Sequence, residues 1–560
     1  MSKKQRLELT WIGKDQQPKL EPRILIEDPE KSYGDKHTEN KLIFGDNLLA
    51  LKALEQDYSG KIKCIFIDPP YNTGSAFTHY DDGIEHSLWL GLMRDRLEIL
   101  RRLLSEDGSL WVTLDDNEAH YFRVMADEVF GRKNFIASVI WRKNFSPKSS
   151  AKHFSVDHDY LMIYAKNEEI WRPNPMPRSA KQDKAYKNPS NDPRGPWTSG
   201  DLSARNYYSL GIYPITTPSG RVIEGPPPGT YWRVSYEKFK ELNADNRIWW
   251  GKDGDGIPRL KRFLSEVKQG VVPQTYWSYE EVGHTQEAKK ESVVLFGEDV
   301  FATPKPEKLL ERIFSIASNQ GELILDSFAG SGTSGAVAQK MGRKWIMVEL
   351  GEHCNSHIIP RLQKVVDGTD QGGISQAVGW AGGGGFQYYS LAPSLLKQDP
   401  YGQWIIEETY NADMLAAAMA KQEGFRYQPD ETVYWKQGQS TEKDFIFTTT
   451  HFVTVEFLDK LHEEIQPEES LLVCCKSFRK ECEDRYPNIT VKKIPKVLLG
   501  RCEFGRDDYS LNVINIPTEH DDDFLDEPEP EPVAAVAVKP KGRKAPKASN
   551  SQKQLSLMGE

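Results

Sequence analysis

Apolar and polar positions alternate along this chain in a way that predicts strands and helices in turn. Leu42-Ile43-Phe44 is a short apolar run, Gly45-Asp46-Asn47 a turn, and Leu48 to Leu54 has helical spacing. Ile65-Phe66-Ile67 ends a β-branched and aromatic run of the kind buried in parallel sheets, with Asp68 directly after it. Leu88 to Leu104 reads as an amphipathic helix, Asp107-Gly108 as a turn, and Ser109 to Leu114 as a strand. A helix is predicted over 120–130 and strands over 134–141 and 160–164. From about 166 to 290 the pattern breaks, and it resumes at Leu323-Ile324-Leu325-Asp326. Ser334 to Lys340 reads as a helix and Lys344 to Val348 as a strand ending on Glu349. Repeated strand, turn and helix predict an α/β fold, a doubly wound and mostly parallel sheet with helices on both faces. Such sheets meet ligands at the carboxyl ends of their strands.

The 65–67 strand carries the most chemistry at that end, where Asp68-Pro69-Pro70-Tyr71 follows. The prolines stiffen the turn and remove their own amides, leaving the carbonyls of Asp68 and Pro69 as acceptors. A carboxylate, outward carbonyls and a flat ring suit a planar group bearing NH2, such as the exocyclic amine of a nucleobase. A plain Pro-Pro turn is the alternative. After the 323–325 strand comes Asp326-Ser327-Phe328-Ala329-Gly330-Ser331-Gly332-Thr333. Its glycines let backbone approach a ligand closely, and the following helix offers free amides. Glu349 stands where dinucleotide folds hold both ribose hydroxyls. Asp46 is open between meeting a ligand and capping the helix behind it. Pro304 and Lys305 are open between touching a cofactor and starting a helix, with Pro306 in its first turn.

The 166–290 stretch crowds prolines and aromatics, such as Pro226-Pro227-Pro228, Trp232 and Trp249-Trp250, among cations including Lys181, Lys184, Lys187, Arg205, Lys252, Arg259 and Lys261. It is either an irregular structural insertion or a set of loops able to meet phosphates and base edges. Its place between two halves of one sheet favours the second. Gly382 to Gly385 reads as a flexible turn into another domain. That domain mixes a helix at 412–422 with strands at 445–447, 471–473 and 513–514. Cys474 and Cys475 are expected to be buried small apolar residues.

Composition narrows the possibilities. At 560 residues the chain exceeds a single core. A net charge of -10 excludes a basic coat for nucleic acid, so any DNA contact needs local basic patches. No apolar run reaches membrane-spanning length, and the basic start Met1 to Arg6 is not followed by the apolar core of a secretory signal. The six cysteines lack paired CxxC spacing, which argues against a zinc site or disulfide framework and predicts free thiols in a reducing cytoplasm.

Asp68-Pro69-Pro70-Tyr71 resembles the catalytic motif of DNA amino-methyltransferases. The order of elements, with that motif first, an insertion next and Phe328-Ala329-Gly330-Ser331-Gly332 last, is similar to the β group of these enzymes. Within it, the length and Phe386-Gln387-Tyr388-Tyr389-Ser390-Leu391 resemble the modification subunits of type III restriction systems. Ser327 stands where the family often has proline, which changes turn stiffness but removes no contacting group.

The resemblance implies a seven-stranded methyltransferase sheet with circularly permuted motif order, S-adenosyl-L-methionine as cofactor, and transfer to adenine N6 in flipped-out double-stranded DNA. It implies a cytoplasmic homodimer that binds double-stranded DNA and pairs with a restriction subunit carrying a helicase and a nuclease. Asp68, Pro69, Pro70 and Tyr71 would be catalytic; Asp46, Lys305, Asp326, Phe328, Gly330, Gly332, Thr333 and Glu349 would hold the cofactor, with no metal. The expected divisions are an N-terminal arm (1–39), a catalytic half (40–166), a target recognition domain (167–290), a cofactor half (291–366), a C-terminal α+β domain (367–516) and a disordered tail (517–560). Cytosine N4 as target, a stand-alone regulatory methyltransferase and a non-catalytic specificity subunit are the alternatives.

Overall fold

The structure, a computed structural model, describes residues 8–72, 82–149, 151–178, 183–267, 270–297, 303–494 and 496–510, with the backbone alone for 82–85. The expected tail, the basic start, Lys181 and the strand expected at 513–514 lie outside the described residues.

Eleven strands form one sheet: β1 (Leu25–Glu27), β2 (Tyr33–Gly34), β3 (Lys41–Phe44), β4 (Ile62–Ile67), β5 (Leu104–Leu114), β6 (Phe135–Arg142), β7 (His158–Ala165), β8 (Tyr276–Trp277), β9 (Leu323–Asp326), β10 (Lys344–Glu349) and β11 (Gly385–Leu391). Their order is β1-β11-β3-β10-β9-β4-β5-β7-β6-β8, with β2 also on β11. The strands from β11 to β5 in that order are parallel, and β7 is antiparallel to both β5 and β6. The longer helices are α1 (Asn47–Tyr58), α2 (Asp82–Leu103), α3 (Ala119–Ala126), α4 (Tyr236–Ala244), α5 (Thr285–Phe296), α6 (Glu307–Ala317), α7 (Thr333–Lys340), α8 (Ile359–Val366), α9 (Ala412–Glu423) and α10 (Val455–Glu464).

The middle of the sheet is buried on both faces because β4, β9 and β10 carry consecutive apolar residues there (Cys64 to Ile67, Leu323 to Leu325, Trp345 to Val348), and successive side chains point opposite ways. On β4, Cys64 and Phe66 join a core with α6, α7 and α8, while Ile65 and Ile67 join one with α1, α2 and α3.

The expected seven strands are the run β3-β10-β9-β4-β5-β7-β6, but the sheet does not stop there. Bare β3 and β6 edges would expose unpaired backbone groups. Instead β11 pairs along β3 and β8 along β6. The run expected to be a flexible turn is therefore the entry to a buried strand. Gly34 and Gly385 allow two backbones to cross closely: an added Cβ on Gly34 would lie 2.4 Å from the Gly384 carbonyl oxygen. Residues expected as an N-terminal arm are tied down in their described part. Leu25 to Glu27 pair with β11, and Arg23 is buried with a guanidinium bond of 2.8 Å to the Ala392 carbonyl.

The insertion carries its own small core of Leu202, Tyr213, Ile215, Trp232, Phe239, Ile248 and Trp250 around short antiparallel strands. Its last stretch returns to the main sheet as β8. The C-terminal part is more α/β than α+β: Asp444–Val453, Ser470–Phe478 and Ile489–Lys493 are parallel, with α10 crossing between the first two. Cys474 and Cys475 are buried, and all six thiols are free. No described helix is long and apolar enough to cross a membrane.

Phe386 on β11 is 1% exposed and packs against Trp345 with ring centroids 6.2 Å apart. Phe386→Ala should cost about 3–5 kcal/mol by leaving a cavity, read as a lower urea midpoint; an unchanged midpoint would mean β11 contributes nothing to the sheet's stability.

Candidate active site

β4 ends where its apolar run meets Asp68 and the two prolines. The Asp68 carboxylate is held from two sides: Thr113 of β5 donates its hydroxyl to Oδ1, and Lys305 Nζ lies 2.5 Å from Oδ2. Lys305 comes from 237 residues along the chain, in the segment leading into α6. The Trp89 indole of α2 donates to the Pro70 carbonyl at 2.7 Å, which fixes the far side of the turn.

Tyr71 is equally fixed. Its hydroxyl donates to Oδ2 of Asp159 at 3.1 Å, and Asp159, at the start of β7, is buried. Lys143 Nζ lies 2.9 Å from the other Asp159 oxygen. The ammonium groups of Lys305 and Lys143 stand 5.4 and 5.9 Å from the Tyr71 ring centroid, within cation–π range. Burial first, then the nearby Asp159 and Asp68 carboxylates, push the Tyr71 phenol well above its ordinary value, so it stays a neutral donor.

The next residue, Asn72, takes a positive φ of 52° and is buried. Its side-chain amide donates to Glu118 at 2.6 Å, and His86 Nδ1 lies 2.7 Å from the same carboxylate oxygen. Burial raises the Glu118 carboxyl against the lowering effect of Asn72 and His86.

The second constellation lies on the adjacent strand. β9 pairs in parallel with β4, Ile324 opposite Cys64 and Leu325 opposite Ile65, so Asp326 and Asp68 emerge at the same edge. Asp326 is 3% exposed. It accepts from the Phe328 amide at 2.9 Å and the Ser334 hydroxyl at 2.6 Å, bracing the turn between β9 and α7. Gly332 enters α7 with φ 73°, and a Cβ there would come within 2.9 Å of Ile358. Gly330 donates its amide to Glu349 at 2.7 Å, and Glu349 also accepts from the amides of Leu350 and Gly351. Buried Arg361 donates to the Thr333 hydroxyl at 2.7 Å, turning that side chain inward.

Asp68, Pro70, Tyr71 and Lys305 are thus in one contact set, and Asp326, Phe328, Gly330, Gly332, Thr333 and Glu349 in a second beside it. Lys305, expected at a cofactor, pairs with Asp68. Asp46 takes the capping role: it accepts from the amides of Leu48 and Leu49 at 2.9 and 3.0 Å and from that of Tyr509 at 3.0 Å, and is 1% exposed. Sequence reasoning missed Thr113, Glu118, Lys143 and Asp159. The available signal was a polar residue within or beside an apolar strand run, which turn residues share.

Residues 62–359, more than half of the chain and spanning both turns, match the sequence family described as DNA methylase. This chain belongs to the DNA methylase family. Among curated relatives of this chain is the type III restriction-modification enzyme StyLTI Mod subunit of Salmonella typhimurium LT2, 33% identical over 58% of this chain and 55% of that one. Another is the type II methyltransferase M.EcaI of Enterobacter cloacae, 32% identical over 55% of this chain and 66% of that one. The chain therefore spans little more than half of the first relative's length. A solved structure of the PvuII DNA methyltransferase (cytosine-N4-specific) is 16% identical over 58% of this chain and 86% of that one, at a TM-score of 0.32.

Burial, with the like charges of Asp68 and Glu349, raises the Asp326 carboxyl to about 7 despite its two hydrogen bonds. An unfolded aspartate titrates near about 3.9. Between those values the folded protein holds a proton that the unfolded chain has released. The resulting stabilisation is complete below about pH 4 and lost as the pH rises through 7. Burial raises Glu291 and Asp95 into the same window, so Asp326→Asn should lessen the fall in urea midpoint there without abolishing it; a fall as steep as in the unsubstituted protein would refute the assignment.

Proposed function

We propose that this chain is a DNA amino-methyltransferase that moves a methyl group from S-adenosyl-L-methionine to adenine N6 in double-stranded DNA. We read it further as the modification subunit of a type III restriction-modification system. The observation that carries the reading is the pairing of β4 with β9, which brings an amine-gripping turn beside a glycine turn on one sheet edge. The resemblance of the Asp68 to Tyr71 motif and the Mod-subunit relatives support it. Through them, residues 167–290 are proposed as the target recognition domain, the motif order as a circular permutation, and a homodimer that pairs with a helicase-nuclease restriction subunit as the assembly.

The glycine-turn residues suit the cofactor by their chemistry. Glu349 offers a carboxylate at a strand end for ribose hydroxyls. Asp68 and Glu349, whose charges both act on Asp326 between them, suit a sulfonium cation. Bound there, the cofactor would supply an electrophilic methyl group.

The chain's own residues would do the rest. An adenine amine is a poor nucleophile because its lone pair is delocalised into the ring. Asp68 and the Pro69 carbonyl would accept its two N–H bonds, favouring a pyramidal nitrogen with its lone pair turned outward. A carboxylate has about four acceptor sites, so Asp68 can take an amine N–H while Thr113 and Lys305 still hold it. Such positioning supplies roughly 7–11 kcal/mol of a barrier when the geometry is right. Flipping the base out of the duplex costs a few kcal/mol, and stacking on Tyr71 returns roughly 1–3 kcal/mol. Asp159 and Lys143 are positioning residues here, since they fix the Tyr71 ring before a base arrives.

Labelled methyl transfer to DNA, followed by sequencing of modified bases, tests the reading: N6-methyladenine at one short sequence is expected, and no transfer to any DNA would overturn it. Asp68→Ala should abolish transfer while cofactor binding by calorimetry stays measurable, and unchanged turnover would remove Asp68 from the chemistry. Asp159→Ala should slow transfer by about tenfold, a loss of roughly 1.4 kcal/mol, without weakening cofactor binding. An unaltered rate would mean Tyr71 needs no anchor.

A further inference from the structure

The segment joining β6 to β7 is a long excursion whose roots stand in the site just described. β6 is antiparallel to β7, which is antiparallel to β5, so β6 and β5 point the same way. The excursion therefore leaves the sheet at the edge that carries Asp68. At one root, Lys143 grips Asp159; at the other, Asp159 receives the Tyr71 hydroxyl.

The excursion is built rather than loose. The Lys143 amide donates to the Asp157 carbonyl at 2.9 Å, and the Asn144 side chain donates to the Val156 carbonyl at 3.0 Å. Higher up, the Lys148 amide donates to the Ser155 hydroxyl at 2.8 Å. This hairpin carries Phe154 with 90% of its surface exposed. A lone exposed apolar residue is ordinary. This one sits on a hydrogen-bonded support beside exposed Lys148, Lys152 and His153. Of the acids nearest in sequence, Asp159 is paired with Lys143 and receives the Tyr71 hydroxyl, while Asp157 accepts from the Ser155 hydroxyl at 2.5 Å. In a chain of net charge -10, the hairpin sets Lys148 and Lys152 against one acid of its own, Asp157, and bears two exposed rings: Phe145, which leans on Tyr279 with centroids 5.4 Å apart, and Phe154, the barer of the two.

We propose that the hairpin between β6 and β7 is a wedge for duplex DNA, with Phe154 filling the place in the base stack that the target nucleotide vacates and Lys152 meeting a flanking phosphate. The proposal rests on the DNA-methylation reading and extends it. An aromatic face stacks on any base, and apolar wedges stabilise unstacked steps in duplex DNA. The wedge would hold open the gap whose missing base is held against Tyr71, two strands away on the same sheet edge.

The test uses the full chain and a duplex carrying the methylation site mapped by sequencing. Transfer is measured on that duplex and on one with an abasic site opposite the target, where no pairing resists flipping. In parallel, 2-aminopurine at the target position reports unstacking by fluorescence. Phe154→Ala should lose roughly tenfold or more of the transfer rate on the paired duplex, with a matching loss of the 2-aminopurine rise. On the abasic-opposed duplex it should stay within about threefold of the unsubstituted protein, and Phe154→Trp should restore the paired rate, since its larger ring stacks at least as well. Full activity of Phe154→Ala on the paired duplex, as expected if the hairpin docks a protein, would overturn the wedge alone. An equal loss on both duplexes would also overturn it. An unsubstituted protein inert toward all DNA would overturn the methylation reading and the wedge together.

Discussion

The structure depends on the parallel pairing of β4 with β9. Parallel neighbours run about 4.8 Å apart with their carboxyl ends at one edge. The turn after β4 holds Asp68 and the turn after β9 holds Asp326 and the glycines, so this ladder turns two remote stretches into one site. An antiparallel pairing would have put the two turns at opposite edges. The register is secured from both faces: Cys64 and Ile324 belong to one core and Ile65 and Leu325 to the other. A slip by one residue would exchange the cores for the whole strand.

Around that ladder, the carboxylates of the site are each braced by specific donors. Asp68 is held by Thr113 and Lys305, Asp326 by Phe328 and Ser334, and Glu349 by three backbone amides. Groups fixed in this way need little rearrangement when charge moves nearby. Beneath the glycine turn lies a buried ion network: Lys340 pairs with Glu307 at 2.8 Å and Asp370 at 2.7 Å, and Arg361 joins Glu307 to Thr333. Replacing such a network with apolar groups often costs a fold no stability. Its consequence here is geometric, since it ties α6, α7 and α8 to the residues that shape the turn.

The β6–β7 hairpin and the Tyr71 anchor share Lys143 and Asp159, so the surface proposed for DNA and the ring proposed for the flipped base are linked through a single ion pair. The link is short and buried at the Asp159 end, which suits it to transmit position rather than to flex.

By itself, the sequence determined the α/β class, the strands at 42–44, 65–67 and 323–326, the flanking helices, and the two turns where chemistry gathers. These are local: hydrophobic period, proline stiffness and glycine freedom act within a few residues. Only the tertiary structure decided that the glycine run at 382–385 opens a partly buried strand, that Asp46 is a cap, that Lys305 pairs with Asp68, and that Thr113, Glu118 and Asp159 brace the turn from Asp68 to Asn72. A two- or three-residue edge strand carries no readable period. A polar side chain near a strand end looks the same whether it faces water or a partner hundreds of residues away. Its role is set by which strands become neighbours, and that depends on the burial of both sheet faces at once, a property of the whole fold.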